Sequence, residues 1–136
     1  MKYAKFLLIL PFMALLFDSC NFEEGNPDLS GQWTCTETSE IFLKSGKGTS
    51  VYPVYLSKDA DSPNKYNIDN FYRLGSGKKV SILVNGSTVT IPKQSVNAFV
   101  FEGSGTVNVD NNLIELTYTA DDFGGEIDHV HASYTR

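Results

Sequence analysis

Val80-Ser81-Ile82-Leu83-Val84-Asn85-Gly86-Ser87-Thr88-Val89-Thr90-Ile91 consists of two short alternating apolar runs joined through Asn-Gly. Val80, Ile82 and Val84 share one face, as do Val89 and Ile91, and a side-chain period of two marks strands with one face toward a core. Asn85-Gly86 tolerates the positive φ that a type I′ turn needs at both central residues. The two runs are therefore expected to fold back on each other as a tight antiparallel hairpin.

The same chemistry extends to either side. Val, Ile, Thr, Tyr and Phe recur at alternate positions with turn residues at short intervals, and no long stretch shows a helical period. The pattern predicts strands over 31–38, 49–58, 65–72, 78–85, 87–92, 98–109, 112–120 and 126–135. Asp110-Asn111-Asn112 reads as a short turn, and Gly75-Ser76-Gly77 and residues 121–125 read as looser loops. Gly103 and Gly105 fall inside strand character, where glycine often marks a bulge or sharp bend. Ser39-Glu40-Ile41-Phe42-Leu43 is either a helical turn capped by Ser39 or an apolar loop across the end of a barrel. Short connections favour antiparallel neighbours. The expected fold is all-β, an up-and-down antiparallel barrel of about eight strands, with a curled β-sandwich as the alternative.

Leu29-Ser30-Gly31-Gln32-Trp33-Thr34 places a Gly-x-Trp at the start of the first strand. It resembles the opening of lipocalin-like and calycin-like domains. That resemblance covers 29–136 in strand pattern, rests on this one motif, and implies that the Trp closes one end of the barrel.

The first twenty residues carry an address. Lys2 and Lys5 precede the apolar run 6–17, and Asp18-Ser19-Cys20 sets a cysteine behind a small residue. A basic start, a short apolar segment and a small residue before the cut are the parts of a secretory signal. The run is shorter than the roughly 20 residues of a membrane-crossing helix. The layout resembles a bacterial lipoprotein signal peptide, although Phe17 and Asp18 stand where such motifs carry Leu and an uncharged residue. The resemblance implies a mature chain beginning at Cys20, with a diacylglycerol on its thiol and a third acyl chain on its amine. Two or more chains make stable membrane anchoring. The open alternative is an ordinary secreted protein cut nearby. Residues 20–29 read as a tether between anchor and domain, with Gly25 and Pro27 breaking any period. Glu23-Glu24 resembles the acidic stretch behind the lipidated cysteine of surface-exported lipoproteins of the Bacteroidota, implying an outer-membrane lipoprotein displayed on the cell surface. The expected organisation is thus a signal over 1–19, a lipidated tether over 20–29 and one barrel domain over 30–136.

Of eleven basic and sixteen acidic residues, removal of the signal takes Lys2, Lys5 and Asp18, leaving nine against fifteen and a net charge of −6 with His neutral. Such a surface repels phosphate backbones and disfavours nucleic acid. Cys35 shares a strand face with Trp33 and reads as a buried, inert thiol. Zinc-ligand and C-x-x-C spacings are absent from the sequence.

The densest group of chemistry-bearing residues is Asp121, Asp122, Glu126, Asp128, His129 and His131, around the last loop and strand. Oxygen-rich loops hold Ca²⁺, and His129 and His131 share one strand face, so these residues are the candidate metal ligands. The competing reading is a solvated acidic turn before a half-exposed strand. Ser133, His131 and Asp128 form a nucleophilic set on paper only, with no nucleophile turn in view. Among the aromatic residues, Phe71 and Tyr72 beside Arg73, and Phe123 in a glycine loop, are the candidate ligand-binding residues, because exposed rings on loops stack on sugars or anchor partners.

The resulting expectation is a non-enzymatic envelope lipoprotein without a cofactor, held to the membrane by its lipid and binding a small apolar or glycan ligand. The alternative is an accessory protein-interaction module of an envelope complex with a packed barrel. Small inward residues favour a pocket, whereas inward Phe99, Phe101, Tyr118 and Ile114 fill it.

Overall fold

The computed structural model describes residues 27–46 and 48–136. The signal, Cys20 and the tether through residue 26 lie outside the described residues. The eight strands are β1 (Gly31–Ser39), β2 (Thr49–Lys58), β3 (Lys65–Asp69), β4 (Lys79–Asn85), β5 (Thr88–Val96), β6 (Phe99–Asn108), β7 (Leu113–Asp121) and β8 (Ile127–Thr135). They follow one another around a closed antiparallel barrel, and β8 pairs back onto β1 from Thr34↔Thr135 to Ser39↔Val130. That closure selects the barrel over the curled sandwich and is compatible with a lipocalin-like fold. It also leaves no free sheet edge to pair with another chain.

Alternation decides what faces the axis. On β1, Trp33, Cys35, Glu37 and Ser39 are buried while Gln32, Thr34 and Thr36 are exposed; on β8, Asp128, Val130, Ala132 and Tyr134 are buried while His129 and His131 are exposed. The barrel is apolar within and polar without, the reverse of a membrane-spanning barrel. Phe101, Tyr118, Ile114, Ile82, Ile91 and Tyr134 fill the axis, so the interior is a packed core.

Three local expectations are corrected. The β4–β5 hairpin forms, but Asn85 pairs with Thr88, which leaves Gly86 and Ser87 as the central residues. Only Gly86 of these two has positive φ, the pattern of a type II′ turn with glycine first. A hairpin turn with positive φ at both central residues lies instead at Asn97-Ala98 between β5 and β6, with φ of 50° and 70°. The third strand stops at Asp69, and Phe71–Arg73 forms a 3-10 turn. The fifth strand runs past Pro92 through a bulge, where pairing shifts from Ile91↔Gly103 to Gln94↔Phe101. Proline has no N–H for a ladder. The Gln94 amide takes over, accepting from Ser81 N and donating to Ser81 O at 2.8 Å each, so a side chain continues the sheet where the β4–β5 ladder ends. Gly103 and Gly105 sit in an uninterrupted β6–β7 register. There a Cβ at 103 would run into Thr117 O, and one at 105 into Glu115 O, so they permit close approach of β7, while on the β5 side Gly103 sits at the expected bulge.

Residues 39–43 resolve as a helical turn. Ser39 Oγ accepts from Phe42 N at 3.2 Å and caps α1 (Glu40–Leu43). α1, the 3-10 turn, the Asn97-Ala98 turn and the β7–β8 loop all lie at one end of the barrel, whereas the chain enters and leaves at the other.

Candidate functional site

The end where the chain enters is sealed. Trp33, 2% exposed, donates its indole N–H to Leu29 O at 2.9 Å, and the Arg136 guanidinium lies 4.2 Å from the Trp33 ring centroid. Arg136 also donates to Ser30 O and Asp28 O, and Tyr66 donates its hydroxyl to Pro27 O at 2.8 Å. Leu29 is buried. Residues 27–29, the end of the sequence-predicted tether, are therefore docked into the barrel. These side-chain donors all end on main-chain carbonyls, and Leu29 N donates in turn to the Tyr66 hydroxyl at 3.3 Å.

The opposite end is built on two buried carboxylates. Glu37 continues the inward face of Trp33 and Cys35, and Asp128 begins that of Val130, Ala132 and Tyr134. Glu37 Oε2 accepts from the hydroxyls of Tyr52 at 2.6 Å and Tyr118. Asp128 Oδ2 accepts from Ser39 Oγ at 2.5 Å and from the Tyr72 hydroxyl at 2.7 Å, while Oδ1 accepts from Ile41 N at 3.1 Å. Asp128 thus ties together the β1–β2 and β3–β4 connections. Lys44 and Glu126 add an exposed ion pair between α1 and the β7–β8 loop.

Burial is an uncomfortable setting for a carboxylate. It pushes the Glu37 carboxyl above its ordinary range, the Tyr118 and Tyr52 hydroxyls pull it back, the Asp128 charge raises it and the Arg73 charge lowers it. Burial, reinforced by the neighbouring carboxylates, holds the Tyr52, Tyr72 and Tyr118 hydroxyls well above their usual range, so they remain donors. The buried Cys35 thiol is pushed up to about 12, mainly by desolvation, which keeps it in the unreactive form.

Above this floor opens a cavity of about 420 Å³, within the usual size range of small-molecule sites. Glu37, Ser39 and Ser50 supply polar lining, Phe42, Leu74 and Phe99 apolar lining, and Tyr72 and Arg73 close one side. Arg73 donates to Ser50 Oγ at 3.0 Å. Tyr72 and Arg73 hold φ of 54° and 57°, a left-handed conformation costing bulky residues roughly 1–2 kcal/mol each. The Tyr72 hydrogen bond to Asp128 and its edge-on packing against Phe99, 5.3 Å between centroids, help offset that cost. A second, shallower depression of about 310 Å³ lies on the outer wall near Gln32, Pro53 and the exposed Tyr55.

No protein-family model and no curated protein matches the sequence. The functional reading therefore rests on this geometry.

The sequence-predicted ligand residues separate. Tyr72 and Arg73 line the cavity. Phe71 is fully buried beneath it, packed edge-on against Phe101 at 5.1 Å and against Tyr118 at 4.6 Å. Phe123 is 77% exposed on the β7–β8 loop and stands apart from the lining. The candidate metal ligands also scatter. Asp128 points inward and is occupied by its three donors, His129 and His131 face outward, Glu126 pairs with Lys44, and the carboxylates of Asp121 and Asp122 accept from the backbone N–H groups of Phe123 and Gly124. Among the described residues, no group of three or more His, Cys, Asp or Glu is placed to hold a metal ion. Ser133 and His131 lie on the outer face and Asp128 on the inner, which takes the paper set apart. Glu37, Ser39 and Phe99 were absent from the candidate list; an acid in phase with Trp33 and Cys35 was the signal that marks Glu37.

Proposed function

We propose that this chain is a non-enzymatic, membrane-anchored lipoprotein of the bacterial cell envelope that binds one small apolar or glycan ligand in the mouth of its barrel. The observation that carries this reading is the cavity of about 420 Å³ over Glu37, lined by the apolar side chains of Phe42, Leu74 and Phe99 and by hydroxyls and a guanidinium. The packed axis below restricts the ligand to the mouth. Lipidation of Cys20 and outer-membrane display are supported by the signal-like leader and the acidic tether. The described chain begins at the sealed end, so an anchor joined there leaves the mouth on the far side of the domain.

Native mass spectrometry of the mature protein, after exposure to an extract of the producing cells and their medium, is expected to show a reproducible added mass. Cys20→Ala is expected to move the protein from the membrane to the soluble fraction. A bare mass in every extract would favour the second reading, an interaction module of an envelope complex. Two observations support that alternative, the filled barrel axis and the exposed Phe42, Leu43, Phe123 and Ile127 on the mouth-end elements.

A further inference from the structure

The two buried carboxylates of the mouth are not equivalent. Asp128 uses both oxygens, one for two hydroxyls and the other for a backbone N–H. Glu37 is 5% exposed and lines the cavity, and its two tyrosine partners both reach the same oxygen, Oε2. Oε1 accepts no hydrogen bond among the described residues. A buried carboxylate with an open oxygen on a cavity lacks a donor there, and Arg73, whose charge reaches it, forms no ion pair with it among the described residues, so burial disfavours the anion.

The surroundings favour a positive occupant. Glu40, Asp121, Asp122 and Glu126 join Glu37 and Asp128 at the mouth end, where the described basic residues are Lys44, Arg73, Lys78 and Lys79, and of these only Arg73 lines the cavity. Lys44 is paired with Glu126. Arg73 is engaged with Ser50. Beside Glu37 the cavity presents Tyr72 and Phe99, whose ring faces attract cations, and Phe42 and Leu74, which suit an apolar body.

Building on the mouth-binding reading, we infer that the ligand is an organic cation, a primary ammonium on an aromatic or aliphatic body. Its ammonium donates to Glu37 Oε1, and its body lies against Phe99, Leu74 and Phe42. The ammonium supplies both the hydrogen bond and the contact ion pair that Glu37 lacks, whereas an anionic ligand of the same shape meets an open acceptor with another acceptor.

The test is calorimetric titration of the protein with three probes of one shape and different charge: phenethylammonium, 2-phenylethanol and 3-phenylpropionate. Phenethylammonium is expected to bind at least about tenfold more tightly than either of the others, a difference of about 1.4 kcal/mol. Glu37→Gln, which keeps an acceptor for Tyr52 and Tyr118, is expected to abolish most of that preference and leave 2-phenylethanol within about twofold. Arg73→Gln is expected to strengthen phenethylammonium binding by removing a like charge. Equal or better binding of the alcohol or the carboxylate, or an unchanged ammonium preference in Glu37→Gln, overturns the inference while leaving the mouth as a binding site. Failure of all three probes, together with a bare mass from the extracts, overturns the inference and the mouth-binding reading together.

Discussion

The two ends of this barrel solve the same problem with opposite chemistry. At the sealed end, Trp33, Tyr66 and Arg136 donate to main-chain carbonyls of residues 27–30, and no buried anion is involved. At the mouth, hydroxyls and one backbone N–H converge on two buried carboxylates. A closure made from carbonyl acceptors costs little desolvation and needs nothing further. One made on carboxylates carries a standing electrostatic penalty, which is tolerable where a cavity admits a compensating partner. On the mouth-binding proposal, the difference separates a plug from a site.

The largest effect that breaks the comparison is expected at the plug. Trp33→Ala removes the ring that closes the end and the stacking surface of Arg136, and is expected to lower stability by about 3–5 kcal/mol in chemical denaturation. Probe binding at the mouth should persist in the folded fraction, and its loss would show that the ends are not independent. Asp128→Ala orphans Ser39, Tyr72 and the Ile41 N–H. It is expected to cost about 2–3 kcal/mol and, unlike Trp33→Ala, to speed amide exchange in α1 and the 3-10 turn.

A matched pair of substitutions sharpens the contrast. Tyr118→Phe takes a donor from Glu37 and should destabilise the protein by about 1.5–3 kcal/mol. Tyr134 is fully buried with no hydrogen-bond partner for its hydroxyl among the described residues, so Tyr134→Phe is expected to leave stability unchanged or raise it by about 1 kcal/mol. The thermal midpoint should fall in Tyr118→Phe and hold or rise in Tyr134→Phe.

The smallest effect depends on pH. Because burial raises the folded-state value of Glu37 above its ordinary one, folding favours the protonated acid. The wild type therefore loses stability relative to Glu37→Gln as pH rises from the ordinary carboxylate range through the raised value, and the gap stays constant above it. Melting curves taken from pH 4 to pH 8 are expected to diverge in that sense. Parallel curves would mean that Glu37 titrates as it does in the unfolded chain.

Much of this architecture is written in period two. The alternation of 80–91 and the recurring turns specify strands, a hairpin and a closed meander, because burying one face of each strand leaves few other arrangements. Where the reading slipped, local signals were missing or misleading. Asn97-Ala98 turns with positive φ at an alanine, which no glycine announces. Pro92 looked like a strand end, yet Gln94, two residues on, bridges the bulge to Ser81. The mouth was half legible. Glu37 shares the phase of Trp33 and Cys35, so its inward direction follows from the strand alone. That Tyr72 reaches Asp128, 56 residues away, depends on a turn whose left-handed residues after Asn70 are a tyrosine and an arginine, types that give no turn signal.

On the proposed reading, one end binds and the other only closes. An NMR titration of the isotope-labelled protein with phenethylammonium tests it most directly. The account predicts amide shifts confined to Glu37, Ile41, Phe42, Tyr72, Arg73 and Phe99, with the Trp33 indole and the Leu29 and Tyr66 amides unmoved. Shifts centred on the sealed end or on the outer groove at Tyr55, or no shifts at saturating probe, would contradict it.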